Sequence, residues 1–387
     1  MRTSRVLRLT ACVLAALSVS CGKRDPEPVI IGLNLELTGD IPMIGQSAKK
    51  AAELFFEQQN AAGGVELADG PRKFKIVISD NSANATQASA VAQRMISVDK
   101  ATALVGPNAG HCATSAAEIA EALKCVMISP WSADGATTMD RVAGVPKRYV
   151  FRASATDEVQ GRVMANFALS KLGARKAAIL SDTAGGPAAQ AAAFKETFAA
   201  GGGEIAAEQT FDAEDRDFTS PVGAVAAAAP EVVFIAAPCD QALPILEAAK
   251  GAGLNAKFLG TELWNSPQTI RMTALGFEEL YFCKNYDHRD TDPAAEKFAK
   301  DYTEKYGQPP DDVAALTYDA CGLLAEALKK SGKNEREALR EQFAQLRGFA
   351  GAAGTYNFRP GSGDPEKSMP VLRINSSGLV WVGDFGN

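Results

Sequence analysis

Histidine is almost missing: His111 and His288 are the only two in 387 residues. That scarcity argues against a Ser-His-Asp triad, and neither histidine has the neighbours a metal site needs. Other catalytic signatures are missing too. There is no Gly-x-x-x-x-Gly-Lys-Ser/Thr loop, no His-Glu-x-x-His, no Cys-x-x-Cys and no Gly-x-Ser-x-Gly elbow. The expectation is a protein that is not an enzyme, with no cofactor and no metal. Positive charge is also in deficit, 40 Lys+Arg against 46 Asp+Glu, and no basic patch offers itself to nucleic acid. No stretch reaches the ~20 apolar residues of a membrane-spanning helix. Aromatics are only 7%, which fits Ala- and Gly-rich helices packed closely on sheets. Cysteine is sparse beyond Cys12 and Cys21. Cys112, Cys125, Cys239, Cys283 and Cys321 are odd in number, so at least one is unpaired within the chain and no disulfide framework is expected.

What is present begins at the N-terminus. Arg2, Arg5 and Arg8 precede an apolar stretch from Leu9 to Val19, and Ser20-Cys21 closes it. The pattern reads as an export signal over 1–20, with Cys21 as a lipid-attachment residue and 21–28 as a polar tether. Plain cleavage at the same bond is the alternative, because Ser18 stands where a lipobox usually has Leu. Either way the mature chain is exported, to the periplasm or the cell surface.

Beyond the tether, apolar β-rich runs alternate with helical patterns. Strands are expected at Val29–Leu35, Phe74–Ser79, Ala103–Val105, Val126–Ser129, Val150–Phe151, Ala177–Leu180, Val232–Ala236, Phe258–Leu259 and Leu280–Cys283. Helices are expected over Gln46–Asn60, Asn84–Val98, Cys112–Leu123, Glu158–Leu172, Ala188–Ala200, Leu243–Gly253, Ala294–Tyr306 and Val313–Lys330. This alternation predicts an α/β protein with parallel sheets covered on both faces, and the length suits two lobes. From Gly354 onward, turn-rich short strands read as one antiparallel meander.

Several phrases then stand in a telling order: Leu37-Thr38-Gly39-Asp40, Asn60-Ala61-Ala62-Gly63-Gly64, Val105-Gly106-Pro107, Ile128-Ser129-Pro130, Phe151-Arg152, Gly260…Glu262 and Tyr318-Asp319-Ala320. Together they resemble the branched-chain amino-acid type of periplasmic binding proteins, over nearly all the mature chain. The resemblance implies two Rossmann-like lobes (periplasmic binding protein type I) joined by three crossings, with a ligand cleft between them. It implies lobe 1 at 29–150 and 287–353, and lobe 2 at 151–286 and 354–387. It also implies a monomer that captures an amino acid or related small molecule by hinge closure and delivers it to the permease subunits of an ABC importer. A sensor of the same fold, binding an amide or other small solute and signalling to a partner, is the alternative. An exported enzyme on this scaffold is a third reading.

Candidate ligand contacts follow from strand ends and from the resemblance. The loop Asn108, Ala109, Gly110 and His111 lies between a strand and a helix, where backbone N–H groups suit an anion such as an α-carboxylate. The family's carboxylate-gripping Ser matches Gly110, which is otherwise a simple turn residue. His111 is a second, weaker reach toward the same carboxylate. Trp131, Ser132 and Ala133 form the next strand-end loop. Glu262 falls where the family places the acid that pairs with the ligand's ammonium, and Trp264 follows it as a pocket wall. Two Tyr walls of the family match Gly186 and either Pro238 or Cys239, which puts a leucine-like solute in doubt. Asp157 reads as a helix N-cap.

Overall fold

Runs such as Val29–Leu35 and Val232–Ala236, apolar at nearly every position, are strands buried on both faces, as parallel sheets require. The computed structural model describes residues 26–140, 142–183 and 185–386. The signal, Cys21 and most of the tether lie outside the described residues. Val29–Leu35, Phe74–Asp80, Ala103–Val105, Val126–Ser129 and Val150–Arg152 form a parallel sheet in which the second strand lies at one edge, followed by the first, third, fourth and fifth. Lys176–Asp182, Glu204–Phe211, Val232–Ala236, Lys257–Gly260 and Leu280–Cys283 repeat that order in a second sheet. Met369–Asn375 and Gly378–Phe385 extend its edge antiparallel.

Helices Pro42–Ala61 and Asp312–Ser331 bury one face of the first sheet, where Phe55 meets Tyr318 edge-on and Tyr318 donates to Gln58. Ala85–Ser97 and Gly110–Ala122 bury the other. Two further apolar cores flank the second sheet. The cores locate three passages between lobes: between Ala153 and Ala155, between Cys283 and Tyr286, and between Phe358 and Met369.

Two sequence expectations need correction. Gly354–Phe358 does not join one terminal meander; it pairs with Phe349–Gly351 and Pro365–Lys367 in a small separate sheet. Its Tyr356 and Phe358 pack in the first core, so the chain leaves that lobe after 358 rather than at 354. Strand Glu204–Phe211 and helix Arg336–Phe343 are additional. The strand sits at a sheet edge with mostly half-exposed residues, and its Ala and Glu carry little β signal.

All five described cysteines are buried and unbridged; burial pushes the Cys125 thiol up to about 12. Among the described residues no helix is long and apolar enough to cross a membrane.

Candidate ligand-binding site

Both sheets point the carboxyl ends of their strands at one cleft, where ligands of doubly wound sheets bind. A cavity of about 410 Å³ opens there, lined from the first lobe by residues 108–110 and 131–134, and from the second by Asp157, Gln160, Gln190, Glu262, Leu263 and Asn265.

The first wall starts at Gly106, whose φ of +86° and approach to Asn34 leave no room for a side chain; a Cβ would lie 2.3 Å from the Asn34 carbonyl oxygen. The turn delivers Asn108 and Ala109, but their backbone N–H groups are already taken. Both donate to Oε1 of the buried Glu36, at 2.9 and 3.0 Å, and Asn108 Nδ2 donates to its Oε2 at 3.0 Å. The expected carboxylate-binding donors at 108 and 109 are thus occupied by the chain's own acid. Asn108 Oδ1 is buried without a partner. Helix Gly110–Ala122 begins without a side-chain cap, and Gly110 lies beside Asp134, whose Cβ would stand 3.2 Å from a Cβ added at 110.

The loop Trp131–Asp134 is held from beneath by Arg152, which is fully buried. Its guanidinium donates to Ser132 O at 2.8 Å, Asp134 O at 2.9 Å, Thr138 Oγ1 at 2.7 Å and Asp364 Oδ1 at 2.6 Å. A rigid five-donor fork is the side chain that can satisfy so many acceptors at once. The Ser132 hydroxyl pairs with Thr137 at 2.8 Å.

The second wall is built around Glu262, at the end of strand Lys257–Gly260. Its backbone N–H donates to Gln160 Oε1 at 3.2 Å, and its carboxylate accepts from Asn285 and, across the cleft, from Trp131 Nε1 at 3.2 Å. Burial and then the nearby Asp312 push its carboxyl up to about 8, with Lys284, the Trp131 bond and Lys367 opposing. Lys284 lies 3.0 Å from Asp312, and Lys367, which donates to Tyr356 OH at 3.4 Å, feels Asp319 more strongly than Glu262. Asp157 lines the same wall and accepts from Gln190 Nε2 at 2.7 Å, while Gln190 Oε1 accepts from Thr261 at 2.8 Å. Burial raises the Asp157 carboxyl as well.

Asn108, Ala109, Gly110, Trp131, Ser132, Ala133 and Glu262 are therefore brought together. Four expected contacts are not. His111 is exposed and its Nε2 lies 3.0 Å from Ala83 O. Trp264 is fully buried against Gly260, where a Cβ would lie 2.3 Å from the indole. Cys239 packs in the second lobe's core near Thr269. Gly186 stands behind the wall, where a Cβ would come 3.1 Å from Asp157 Oδ2. Asp157 itself is not the N-cap; Thr156 caps that helix through Val159 N. Glu36, Asp134, Gln160, Gln190, Leu263 and Asn265 went unread. Gln160 and Gln190 had a signal: each is an uncharged polar residue on a helix face that is otherwise apolar. Among the described residues no group of three or more His, Cys, Asp or Glu is placed to hold a metal.

Comparison with known proteins bears on this cleft. A family model described as periplasmic binding protein matches residues 28–378. The leucine-, isoleucine-, valine-, threonine- and alanine-binding protein of Pseudomonas aeruginosa is 24% identical over 88% of each chain. A Streptococcus pneumoniae branched-chain amino acid transporter substrate-binding protein, solved with isoleucine, superposes with TM-score 0.68 at 25% identity, over 92% of this chain and all of that one. A solute-binding protein from R. palustris, solved with benzoate, shares the fold at TM-score 0.67 and 22% identity, over 92% of this chain and 96% of that one.

Proposed function

The chain belongs to the periplasmic binding protein family, and from that premise we propose that it captures an amino acid or related small solute between its lobes and delivers it to an ABC importer. The observation that carries this reading is the hydrogen bond from Trp131 to Glu262, which joins the two lobes across a solute-sized cavity. Three short passages allow the lobes to hinge. A solute gripped by Asn108 and Trp131 on one side and Glu262 on the other stabilises the closed form, which the permease recognises. The protein acts outside the cytoplasm, as a monomer. Catalysis is no part of this function, since the family is one of solute carriers.

Glu262 gives the solute its handle. A buried carboxylate without a cation is costly, and the lysines nearest to it are engaged elsewhere. A solute ammonium ionises Glu262 and replaces the missing counter-charge. The test is a thermal-shift screen of the purified protein against amino acids, amines, amides and aromatic acids. A true solute at 100 times its Kd raises stability by about 2.7 kcal/mol; a screen in which no amine-bearing solute moves the melt contradicts the reading.

Anchoring through lipidated Cys21 belongs to the same proposal, supported by the charge and apolar pattern of residues 1–20. Cys21→Ala is expected to move the protein from the membrane fraction to the soluble fraction of the periplasm. Unchanged fractionation would show that the anchor is not there.

A further inference from the structure

The cavity is lined by three carboxyl groups, Asp134, Asp157 and Glu262, and by no lysine, arginine or histidine. A zwitterion needs one acid and one anion-binding corner, and the anion corner is compromised here. The backbone donors of Asn108 and Ala109 are spent on Glu36, and the Asp134 side chain lies against Gly110, where the helix begins. Beside it, Asn108 is fully buried and lines the cavity. Its Nδ2 is fixed on Glu36, which leaves Oδ1 a buried acceptor with no donor among the described residues. Such an orphan costs free energy unless a ligand N–H reaches it.

On the opposite wall Asp157 is held on one oxygen by Gln190. Gly186 leaves its carboxyl room, since even a methyl group there would press to 3.1 Å of Oδ2. Burial is the main reason the Asp157 carboxyl is raised, with Gln190 opposing it. A solute cation beside Asp157 offsets the cost of ionising a carboxyl in this buried wall.

We propose that the solute carries two cationic nitrogen groups, one paired with Glu262 and the second held at Asp157, opposite Asp134 and Asn108 Oδ1. This rests on the solute-receptor reading above and narrows its substrate class to basic amino acids and the diamines or guanidino-amines of similar length. The two sources share the paired nitrogens and differ in the carboxylate.

Calorimetry on the purified full chain with L-lysine, L-arginine, putrescine, agmatine and L-leucine separates these possibilities. At least one of the four dications is expected to bind more than tenfold tighter than leucine. Asp157→Asn, which keeps an acceptor for Gln190, is expected to abolish that preference. Asp157→Glu, which keeps the charge, is expected to retain it and guards against a variant that merely misfolds. Tighter binding of lysine or arginine than of putrescine or agmatine assigns the amino-acid source, and the reverse assigns the amine. Leucine bound tighter than all four overturns this proposal while the receptor reading stands. Heat from none of the five probes removes the amine-solute reading and this proposal together.

Discussion

Glu262→Gln is expected to weaken binding of any ammonium-bearing solute by more than tenfold, ~1.4 kcal/mol or above. The amide preserves the shape of the wall and an acceptor for Trp131 but gives up the oxygen that accepts from Asn285, so the loss is read against a solute without an ammonium. Removing one member of a buried, hydrogen-bonded charge pair strands the other. The same substitution has a signature in the solute-free protein. The Glu262 carboxyl sits near 8 when folded, against about 4.3 in an unfolded chain. Between those values the folded state keeps a proton that the unfolded chain has released. Stability therefore falls as pH rises through that window. Asp157, Asp319 and Asp384 are raised too and slope the same way, so the quantity to measure is the difference between wild type and Glu262→Gln in urea midpoints from pH 5 to 8. A growing advantage for the variant toward pH 8 is expected, and parallel curves would show that Glu262 titrates normally.

Arg152→Ala is expected to cost about 2–3 kcal/mol of folding stability, chiefly because buried acceptors of the loop lose their donor. Asp364 loses its cation, and the Ser132 and Asp134 carbonyls lose their donors. Because those carbonyls belong to the loop that presents Trp131 and Ala133, solute affinity falls along with stability. Arg152→Lys recovers only part of the loss, since one ammonium cannot reach four acceptors spread over three segments. Urea unfolding checks the first effect and calorimetry the second. A loss under 1 kcal/mol would mean that the loop is held by other contacts, chiefly Ser154 to Ser132 O.

The architecture was legible where physics leaves little choice. Val29–Leu35, Ala103–Val105, Val126–Ser129, Val232–Ala236 and Leu280–Cys283 appear with the bounds read from their apolar runs, because a strand buried on both faces has no polar option. Glu204–Phe211 escaped because an edge strand does. In the cleft, Glu262 was legible from its strand-end position together with the resemblance, which implies an acid there; neither alone singles it out. Trp264 misled for the opposite reason. A large aromatic beside a site residue reads as a pocket wall, yet Gly260 creates the slot that swallows it. Glu36 and Arg152 were invisible as site elements, since their work is to hold loops distant in sequence, and only the fold brings them beneath residues 108 and 132.

A crystal structure with the tightest-binding amine or amino acid in the cleft bears most directly on the pairing of solute and acid. The expected result is a solute nitrogen about 3 Å from a Glu262 carboxylate oxygen, with Trp131 and Asn108 closing from the other lobe. A bound solute whose nitrogens lie away from Glu262, with that carboxylate still held only by Trp131 and Asn285, would contradict the account.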